Sequence, residues 1–494
     1  MSRAVALLEK FGNRYPRESC GIGIVHLGIG AFLRAHQAWY TDKLLSLYPG
    51  NWSISGISLR SPNVRDQLAP QDGFYTLVEN DRSGQRMEVI GAVREVLCAP
   101  ESPAAVLNQL CHPETKIVSL TVTEKGYCHD PATGRLNQKH PQVIADLENT
   151  NQPSSALGYL CEALYRRWKQ ELGPFSIVSC DNLPSNGKVL RGLLIEFAKL
   201  RDAELADWIE DRVTCPSSMV DRIVPATTEK DRQIVQKQLG LEDQGVVVTE
   251  GFSQWVLEDN FCAGRPAWEN VGVTMVNDVT PFEHMKLRML NGTHSTLAYL
   301  GFMAGHAYVA DAANDSDFQK LLLEMWQDEI IPTLRMPAGI DLQAYAHDLM
   351  ARYQNPELHH RLYQIAMDGS QKLPQRLLGT LRDHIASNRL PKRILLAIAG
   401  WMRYVTGIHE NGDSFEVQDP LTPKLQQLAK DTGFLNSQLN SEKASEYVKQ
   451  LLQVEEIFGS DLANHTIFSQ QLTSVLQELT ENGVRSILRQ TVTA

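Results

Sequence analysis

The first half of the chain alternates short apolar runs with stretches of helical periodicity. Four runs have the length and composition of buried strands, namely residues 22–27, 53–59, 116–122 and 175–180. Strands buried on both faces read as continuous apolar runs, and they occur in parallel sheets that helices cover. The alternation therefore predicts an α/β domain built on a parallel sheet.

The pattern changes near residues 277–282, where polar residues and Pro281 interrupt the strand-like periodicity. Long amphipathic segments then dominate, at residues 286–304, 318–334 and 393–404. Strand patterns nearly disappear in this half. We therefore predict an α/β domain over residues 1–280, followed by a mainly α-helical domain over residues 281–494.

A glycine turn directly follows the first predicted strand. Gly28 and Gly30 stand between that strand and a segment of helical spacing at residues 35–45. This order suits a dinucleotide, because the first glycine permits a tight turn and the second lets the backbone approach the pyrophosphate. Leu33 occupies the third glycine position of the usual fingerprint, so an ordinary turn stays an alternative. We expect a Rossmann-type, dinucleotide-binding domain.

The ends of the next two predicted strands bear on the choice of cofactor. NAD-specific proteins commonly carry an acidic residue after the second strand, whereas this chain has Arg60, whose charge suits the 2′-phosphate of NADP. This strand alone leaves NAD and NADP open. Thr121 and Glu124 end the following strand, where we expect them to line the cofactor crevice or to cap a turn.

Composition narrows the class of protein. The 494 residues are 43% hydrophobic and carry a net charge of −11, with the basic residues scattered, so neither nucleic acid nor an anionic membrane is expected as a partner. No apolar run reaches the roughly 20 residues that a membrane span needs. The eight cysteines form no C-x-x-C pair, which is typical of free thiols in a reducing compartment. We expect a cytoplasmic monomer or small homo-oligomer without a thiolate metal site.

The first segment of the helical half carries several polar residues. On an α-helix with 100° per residue and Lys286 at zero, Glu283 falls at about 60°, His294 at about 80° and Asn291 at about 140°. These side chains then share one side, and Gly292 keeps the helix slim beside them. They are able to converge on one ligand, although a solvated helix face has the same pattern.

These residue types match the needs of a ketone that is reduced by hydride. A partly desolvated lysine has a pKa lowered toward neutrality and serves as proton donor or acceptor, which is the role we predict for Lys286. Asn291 would polarise the carbonyl through a hydrogen bond that strengthens as negative charge develops. His294 would orient substrate hydroxyl groups, and Glu283 would pass protons to solvent.

Two further polar segments complete the candidate site. Asn182 follows the predicted strand at 175–180, where it either faces the ligand crevice and donates a second hydrogen bond to the carbonyl oxygen, or forms an Asx turn. In the helical half, three cations surround a glycine turn, namely Arg361, Lys372 and Arg376. Such cations suit a carboxylate, and ordinary surface charge is the alternative for each of them.

Six ordered motifs run through essentially the whole chain. They are His26-Leu-Gly28-Ile-Gly30-Ala-Phe32-x-Arg34-Ala-His36-Gln37, Ser119-Leu-Thr-Val-Thr-Glu-Lys-Gly126, Ser179-Cys-Asp-Asn182, Met219-Val-Asp-Arg-Ile-Val-Pro225, Gln254-Trp255 and Lys286-x4-Asn291-x2-His294. Together these motifs resemble the mannitol dehydrogenase family of polyol-specific long-chain dehydrogenases. The resemblance implies a metal-independent, NAD-dependent reaction. It implies catalytic roles for Lys286, Asn182, Asn291, His294 and Glu283, substrate contacts at Asp221 and Lys372, and cofactor contacts that include Phe32 and Arg34.

Within the family, residues 360–376 look like the hexuronate branch of fructuronate reductases, because Gln364 stands where the mannitol branch has an arginine. This likeness implies a sugar acid as substrate, with D-fructuronate reduced to D-mannonate. We expect Arg361 to bind the carboxylate and Lys372 to bind neighbouring hydroxyl groups. The alternatives are a neutral polyol oxidoreductase of the mannitol 2-dehydrogenase type and a nucleotide-binding sensor without turnover.

Overall fold

The computed structural model describes residues 15–81, 84–130, 133–434 and 441–491. The chain forms two compact units, Met1–Thr280 and Pro281–Ala494, which we call the N-terminal unit and the C-terminal unit. Each is described by itself below.

Within the described ranges, the named strands all lie in the N-terminal unit. In chain order they are β1 Ile22–Leu27, β2 Ser53–Ser58, β3 Tyr75–Asp81, β4 Gly84–Ile90, β5 Val93–Cys98, β6 Ile117–Leu120, β7 Ser176–Ser179, β8 Ser218–Asp221, β9 Val247–Glu250, β10 Gln254–Glu258 and β11 Thr274–Val276. The four apolar runs of the sequence correspond to β1, β2, β6 and β7, and the last three strands end one or two residues earlier than their apolar runs.

The central sheet is parallel throughout and has the order β5-β2-β1-β6-β7. Because β1 has β2 on one side and β6 on the other, the strand order reverses beside β1. Open α/β sheets bind their ligands at such a reversal, outside the carboxyl ends of the strands. The prediction of a Rossmann-type α/β fold is confirmed.

Two three-stranded sheets, β11-β10-β8 and β4-β3-β9, accompany the central sheet. Strands β3 and β4 pair antiparallel, and β9 adds to them in parallel although it is distant in sequence. Helical periodicity and apolar runs do not reveal the pairing of β3 with β9, because it depends on contacts between remote segments.

Helices cover both faces of the central sheet. The helices of the N-terminal unit are Ala31–Ala35, Gln37–Leu47, Asn63–Leu68, Pro103–Leu110, Pro141–Glu148, Ala156–Lys169, Asn186–Arg201, Ala203–Arg212 and Glu229–Leu239, with short 3₁₀ turns at Arg17–Ser19, Ala69–Gln71, Glu124–Tyr127 and Trp268–Val271. Alternate strand residues enter different cores: Val25 packs with the helix at Ala156–Lys169, whereas Ile24 packs with the helix at Gln37–Leu47. A strand buried on both faces explains the unbroken apolar run of β1.

The described part of the C-terminal unit contains helices but no named strand. Its α-helices are Thr280–Met285 at the unit boundary, Thr293–Thr296, Val309–Asn314, Ser316–Glu324, Leu342–Tyr353, Leu362–Ala366, Gly369–Leu373, Gly379–Ala386, Lys392–Tyr404, Thr422–Asp431, Ser441–Leu452, Glu455–Ala463, Thr466–Asn482 and Val484–Thr491. Its π-helical segments are Lys286–Gly292, Leu297–Gly301, Met325–Ile330 and Pro374–Leu378, and its 3₁₀ turns are Ile331–Thr333 and Pro356–Leu358. Within the described ranges, no helix combines the length and apolar composition needed to cross a bilayer.

Candidate active site

A cavity of about 310 Å³ opens beside the glycine turn of the N-terminal unit. Its walls come from the segments that follow β1, β2 and β6 and from the start of the helix at Ala156–Lys169. The lining residues are Gly28, Ile29, Gly30, Ser58, Leu59, Arg60, Thr121, Val122, Thr123, Gly126, Gln142, Ser154, Ser155 and Ala156. The structure thus brings together four of the predicted cofactor residues, Gly28, Gly30, Arg60 and Thr121.

The backbone of the turn requires glycine at its first position. Gly28 has φ +95°, and a Cβ atom there would lie 2.3 Å from the carbonyl oxygen of Thr121. The amides of Gly28 and Ile29 both donate to the carbonyl oxygen of Ile57, at 2.9 and 3.1 Å, which fixes the turn against β2. At Gly30 a Cβ atom would meet nothing closer than 3.8 Å, so a ligand is able to approach the backbone closely there.

The helix after the turn differs from its prediction. The sequence suggested one helix over residues 35–45, whereas the structure has a five-residue helix, Ala31–Ala35, then a break at His36 and a second helix, Gln37–Leu47. His36 has φ −123° and ψ −89°, and its Nε2 atom donates to the carbonyl oxygen of Gln254 at 3.0 Å. Because macrodipoles add along a helix, the short first helix contributes little, and local amides are left to bind a phosphate.

The remaining predicted cofactor residues lie outside the cavity lining. Arg34 is buried and donates to the carbonyl oxygen of Gly245 at 2.8 Å. Phe32 stacks on His36 with ring centroids 5.0 Å apart, and Glu124 is exposed at the start of a 3₁₀ turn. The contacts of Arg34 and Phe32 stabilise the turn, and direct cofactor contacts for these three residues stay predictions.

A buried hydrogen-bond chain supports Thr121 from behind the cavity. His26 Nε2 lies 2.9 Å from Thr121 Oγ1, which donates to the carbonyl oxygen of Gly28 at 2.9 Å. His26 Nδ1 lies 2.7 Å from Ser119 Oγ, and Ser119 donates to Gln37 at 2.7 Å. Complete burial lowers the pKa of His26 to about 3, so its ring is neutral at physiological pH. The chain joins β1, β6 and the glycine turn.

The loop after β7, which carries Asn182, is tied to the loop after β6. Asp181 accepts hydrogen bonds from the amides of Val122 and Thr123 at 3.0 and 2.9 Å, and from the hydroxyl of Tyr127 at 2.8 Å. Thr123 has φ +64°, an unfavourable backbone conformation that the Asp181 bond helps to hold. Asn182 itself is exposed at this edge. Its neighbour Asp181 therefore positions the loop that presents it.

A second asparagine anchors the same edge. The Nδ2 atom of Asn186 donates to the carbonyl oxygens of Ser179, Asp181 and Ser218, at 3.1, 3.0 and 2.9 Å. Asp221, a predicted substrate residue, is the last residue of β8 and is buried. The sequence analysis missed the supporting roles of Asp181 and Asn186, whose only signal was their place directly after a strand.

In the C-terminal unit, the predicted catalytic residues share one continuous helical stretch, which is not a regular α-helix. It is π-helical over Lys286–Gly292 and again over Leu297–Gly301. The projection at 100° per residue is therefore wrong here, because a π-helix closes its hydrogen bonds from i to i+5. With that spacing, Lys286 and Asn291 lie one turn apart on the same face. Short π-helical segments within α-helices occur frequently at functional sites.

Side chains from neighbouring segments stabilise the π-helix by binding its carbonyl groups. The hydroxyl of Tyr353 donates to Leu290 O at 2.7 Å, and the indole of Trp326 donates to Met289 O at 3.0 Å. Thr293 Oγ1 also donates to Met289 O, at 2.5 Å. Carbonyl groups that leave the regular i+4 ladder need such partners when they are buried. Periodicity along one segment gives no sign of these distant partners.

The predicted catalytic side chains are largely buried. Lys286, Glu283 and His294 each expose only 7% of their surface, whereas Asn291 is half-buried. Burial, together with the positive charges of Arg376 and Arg352, holds the pKa of His294 well below 6.5. His294 is therefore neutral at physiological pH, as suits a group that orients a substrate by hydrogen bonding.

The predicted substrate cations lie in different surroundings. Lys372 is half-buried and donates to the carbonyl oxygens of Met367 and Ile365, at 2.5 and 3.5 Å. Arg361 is exposed, and its guanidinium lies over the ring of Tyr308, 5.8 Å from the centroid. Substrate contacts for both cations stay predictions.

Among the described residues, no group of three or more His, Cys, Asp or Glu side chains is arranged to hold a metal ion.

Comparisons with known proteins cover both units. A family model for the mannitol dehydrogenase Rossmann domain matches residues 22–270, and one for the mannitol dehydrogenase C-terminal domain matches residues 278–480. The chain is 44% identical to the D-mannonate oxidoreductase of Escherichia coli (strain K12), over 94% of each protein. It is 40% identical to mannitol dehydrogenase DSF1 of Saccharomyces cerevisiae, over 95% of this chain and 92% of that protein.

A solved structure is similar over nearly the same length. The mannitol 2-dehydrogenase of Pseudomonas fluorescens, in a ternary complex with NAD and D-mannitol, matches with a TM-score of 0.84 and 39% identity, over 97% of this chain and 96% of that one. The fold, the glycine-turn cavity and these similarities define an oxidoreductase of the NAD type. Within this class, the chain belongs to the mannitol dehydrogenase family. The predictions of the family and of an NAD-type cofactor are confirmed.

Proposed function

We propose that this protein interconverts D-fructuronate and D-mannonate with NAD(H). The observation that carries the proposal is the 44% identity to a D-mannonate oxidoreductase over 94% of the chain. It agrees with the hexuronate-like stretch at residues 360–376, where Gln364 replaces the arginine of the mannitol branch. The positive surroundings of His294 also favour an anionic substrate.

The N-terminal cavity fits a nicotinamide dinucleotide. Gly28 and Gly30 leave the backbone open to a pyrophosphate, and Thr121 lines the wall at the end of β6. When bound, NADH supplies the hydride that adds to the carbonyl carbon of the sugar. Arg60 lines the same cavity, so cofactor preference has to be measured with both NADH and NADPH.

Lys286 is the proton donor in this proposal. As hydride reaches the carbonyl carbon, the oxygen becomes an alkoxide that needs one proton, and the ammonium group of Lys286 supplies it. The product is the hydroxyl group of D-mannonate, and the lysine is left as a neutral amine. Glu283, buried one turn earlier on the same helix, relays a proton from solvent to restore it. In the oxidation of D-mannonate the same proton moves in the opposite direction.

The other predicted residues bind and orient the sugar. Asn182 and Asn291 donate hydrogen bonds that grow stronger as the carbonyl oxygen becomes an oxyanion. His294, Asp221 and Lys372 hold hydroxyl groups of the substrate. Arg361 is the cation that the sequence predicts for the carboxylate.

A substrate panel tests the proposal. NADH oxidation is followed in parallel with D-fructuronate, D-tagaturonate and D-fructose, and we expect kcat/KM to be highest for D-fructuronate. Activity on D-fructose alone would overturn it.

Two other functions remain as competing outcomes. The similarity to the mannitol 2-dehydrogenase of Pseudomonas fluorescens favours a neutral polyol oxidoreductase, which predicts preference for D-fructose in the same panel. A protein that bound NADH but reduced none of these ketoses would instead be a nucleotide-binding sensor.

A further inference from the structure

Two buried imidazole nitrogens beside the predicted catalytic helix have no hydrogen-bond partner among the described residues. They are Nε2 of His294 and Nδ1 of His360. The two rings meet edge to face, with centroids 5.5 Å apart and planes at 80°. A buried polar atom without a partner costs roughly 1–3 kcal/mol, so two such atoms on rings that contact each other point to a place where a ligand binds.

A guanidinium group lies beside the helix that carries His294. Arg376 Nη1 donates to Ser295 Oγ at 3.1 Å, and Ser295 directly follows His294. The backbones are also in close contact, because a Cβ atom at Gly292 would lie 2.6 Å from the carbonyl oxygen of Arg376. Arg376 is half-buried and therefore reachable by a solute, whereas Arg352, which also acts on His294, is buried.

The positive charges around His294 favour the binding of an anion. Arg376 and Arg352 both contribute to lowering the pKa of His294, after the effects of burial and of His360. Burial also lowers the pKa of His360, so both rings are neutral near pH 7. Each ring therefore carries one N–H group. With its proton on Nδ1, His360 donates a hydrogen bond next to a fixed positive charge.

The other two cations of this segment are placed less favourably for the same anion. Arg361 is exposed and lies over Tyr308, and Lys372 already donates to two main-chain carbonyl oxygens. Neither appears among the groups that act on His294. Arg376 is therefore better placed to bind a carboxylate than Arg361, the cation to which the sequence analysis assigned that role.

Distance along the helix fits the shape of the proposed substrate. His294 lies roughly two helical turns beyond Lys286. In D-fructuronate the ketone stands beside a terminal hydroxymethyl group, and the carboxylate lies at the opposite end of the carbon chain. A sugar whose carbonyl is protonated by Lys286 and whose carbon chain runs along the helix toward His294 would bring its carboxylate toward His360 and Arg376.

We propose that Arg376 and His360 bind the carboxylate of the sugar acid and so determine the preference for an acid over a neutral ketose. The inference rests on the proposed function of the protein. Arg376 supplies the charge and His360 a hydrogen bond, while Ser295 holds the guanidinium in place.

The experiment compares kcat/KM for D-fructuronate and for D-fructose, with NADH, in the full-length enzyme and its variants. Arg376→Met should lower the value for D-fructuronate about 100-fold or more, and the value for D-fructose less than about 3-fold. Arg376→Lys keeps the charge without the planar fork, so kcat/KM for D-fructuronate should fall less than in Arg376→Met.

His360→Phe should lower only kcat/KM for D-fructuronate, about 10-fold, and His360→Asn should restore part of that loss. Arg335→Met, at an exposed arginine of the same unit, is the control for the loss of one charge.

The outcomes separate this inference from the proposed function. If the unmodified enzyme does not prefer D-fructuronate, the proposed function fails, and the carboxylate subsite fails with it. If it does prefer the acid but Arg376→Met and His360→Phe lower both substrates equally, only the subsite is wrong. If Arg361→Met instead lowers kcat/KM for D-fructuronate and not for D-fructose, the carboxylate binds at Arg361. NADH binding of each variant is measured first, and if Arg376→Met does not fold, Arg376→Lys and His360→Asn decide.

Discussion

The two units carry their predicted functional residues in different ways. In the N-terminal unit, backbone amides, glycines and a chain of internal hydrogen bonds form the cavity at the ends of regular strands. In the C-terminal unit, the predicted catalytic residues lie on an irregular helix that neighbouring side chains stabilise, and two buried imidazole nitrogens have no hydrogen-bond partner among the described residues. A cofactor shared by many enzymes needs only a common backbone frame. A particular substrate needs side chains that are specific to it.

The largest effect is expected from the catalytic helix. Lys286→Met removes the proton donor and should lower kcat by roughly 10³-fold, within the range usual for general acid catalysis, while NADH binding stays unchanged. Steady-state kinetics and a fluorescence titration with NADH measure the two properties. Lys392→Met, at an exposed lysine of the same unit, is the control. An unchanged kcat in Lys286→Met would show that the mechanism is wrong.

The second prediction concerns the glycine turn that lines the proposed cofactor cavity. Gly28→Ala places a Cβ atom 2.3 Å from the Thr121 carbonyl oxygen at a residue with φ +95°. Strain of about 3 kcal/mol should weaken NADH binding about 100-fold. Gly240→Ala is the matched control, because Gly240 also has positive φ, +72°, but open space around it. It should cost about 1 kcal/mol in unfolding free energy without changing the Kd for NADH. Equal Kd values in the two variants would contradict the assigned cavity.

The third prediction tests whether side chains hold the π-helix. Tyr353→Phe removes the bond to Leu290 O, at 2.7 Å, from a ring whose centroid lies 4.4 Å from that of His294. We expect unfolding free energy to fall by about 1–2 kcal/mol and kcat/KM to fall about 10-fold. Tyr447→Phe removes a similar buried bond, to Met402 O at 3.0 Å. It should cost similar stability and no activity, so an activity loss shared by both variants would refute a special role for Tyr353.

The smallest effect is a pH dependence in the N-terminal unit. The folded state keeps His26 neutral down to pH about 3, whereas the unfolded chain takes up a proton near pH 6.5. Unfolding free energy should therefore fall as pH is lowered, and His26 alone contributes about 0.7 kcal/mol between pH 7 and pH 6. Denaturant unfolding of the native protein and of His26→Asn at both pH values measures this difference. His347→Asn, at an exposed histidine, should leave it unchanged. Identical pH dependence in His26→Asn would show that His26 is not held neutral.

The contrast between the units also explains how much the sequence predicted. Strands β1, β2, β6 and β7 and the glycine turn were found because a twice-buried strand and a tight turn leave local signals. The antiparallel β3 and β4 pair and the break at His36 were missed. The first half of β4 is polar and exposed, so no apolar run marks the pair, and the break at His36 accompanies a hydrogen bond to Gln254, far along the chain.

For the predicted substrate site, the sequence indicated a set of residues but not how they are arranged in space. Lys286, Asn291 and His294 were predicted together and lie on one helical stretch, yet the angular argument assumed a regular α-helix. The π-helix is stabilised by Trp326 and Tyr353, which lie beyond any local window of sequence. For the same reason, Arg376 could not be preferred to Arg361 from the sequence alone, since only the fold brings Arg376 close to His294.

One measurement tests the proposed function most directly. D-Mannonate and D-mannitol share a carbon skeleton and differ in having a carboxylate or a hydroxymethyl group at one end. NAD⁺ reduction is followed with each polyol under identical conditions, and the two kcat/KM values are compared. The proposed function predicts that D-mannonate is preferred by about 100-fold or more, because a site built around a charged group rejects the analogue that lacks it. Equal values, or a preference for D-mannitol, would contradict it.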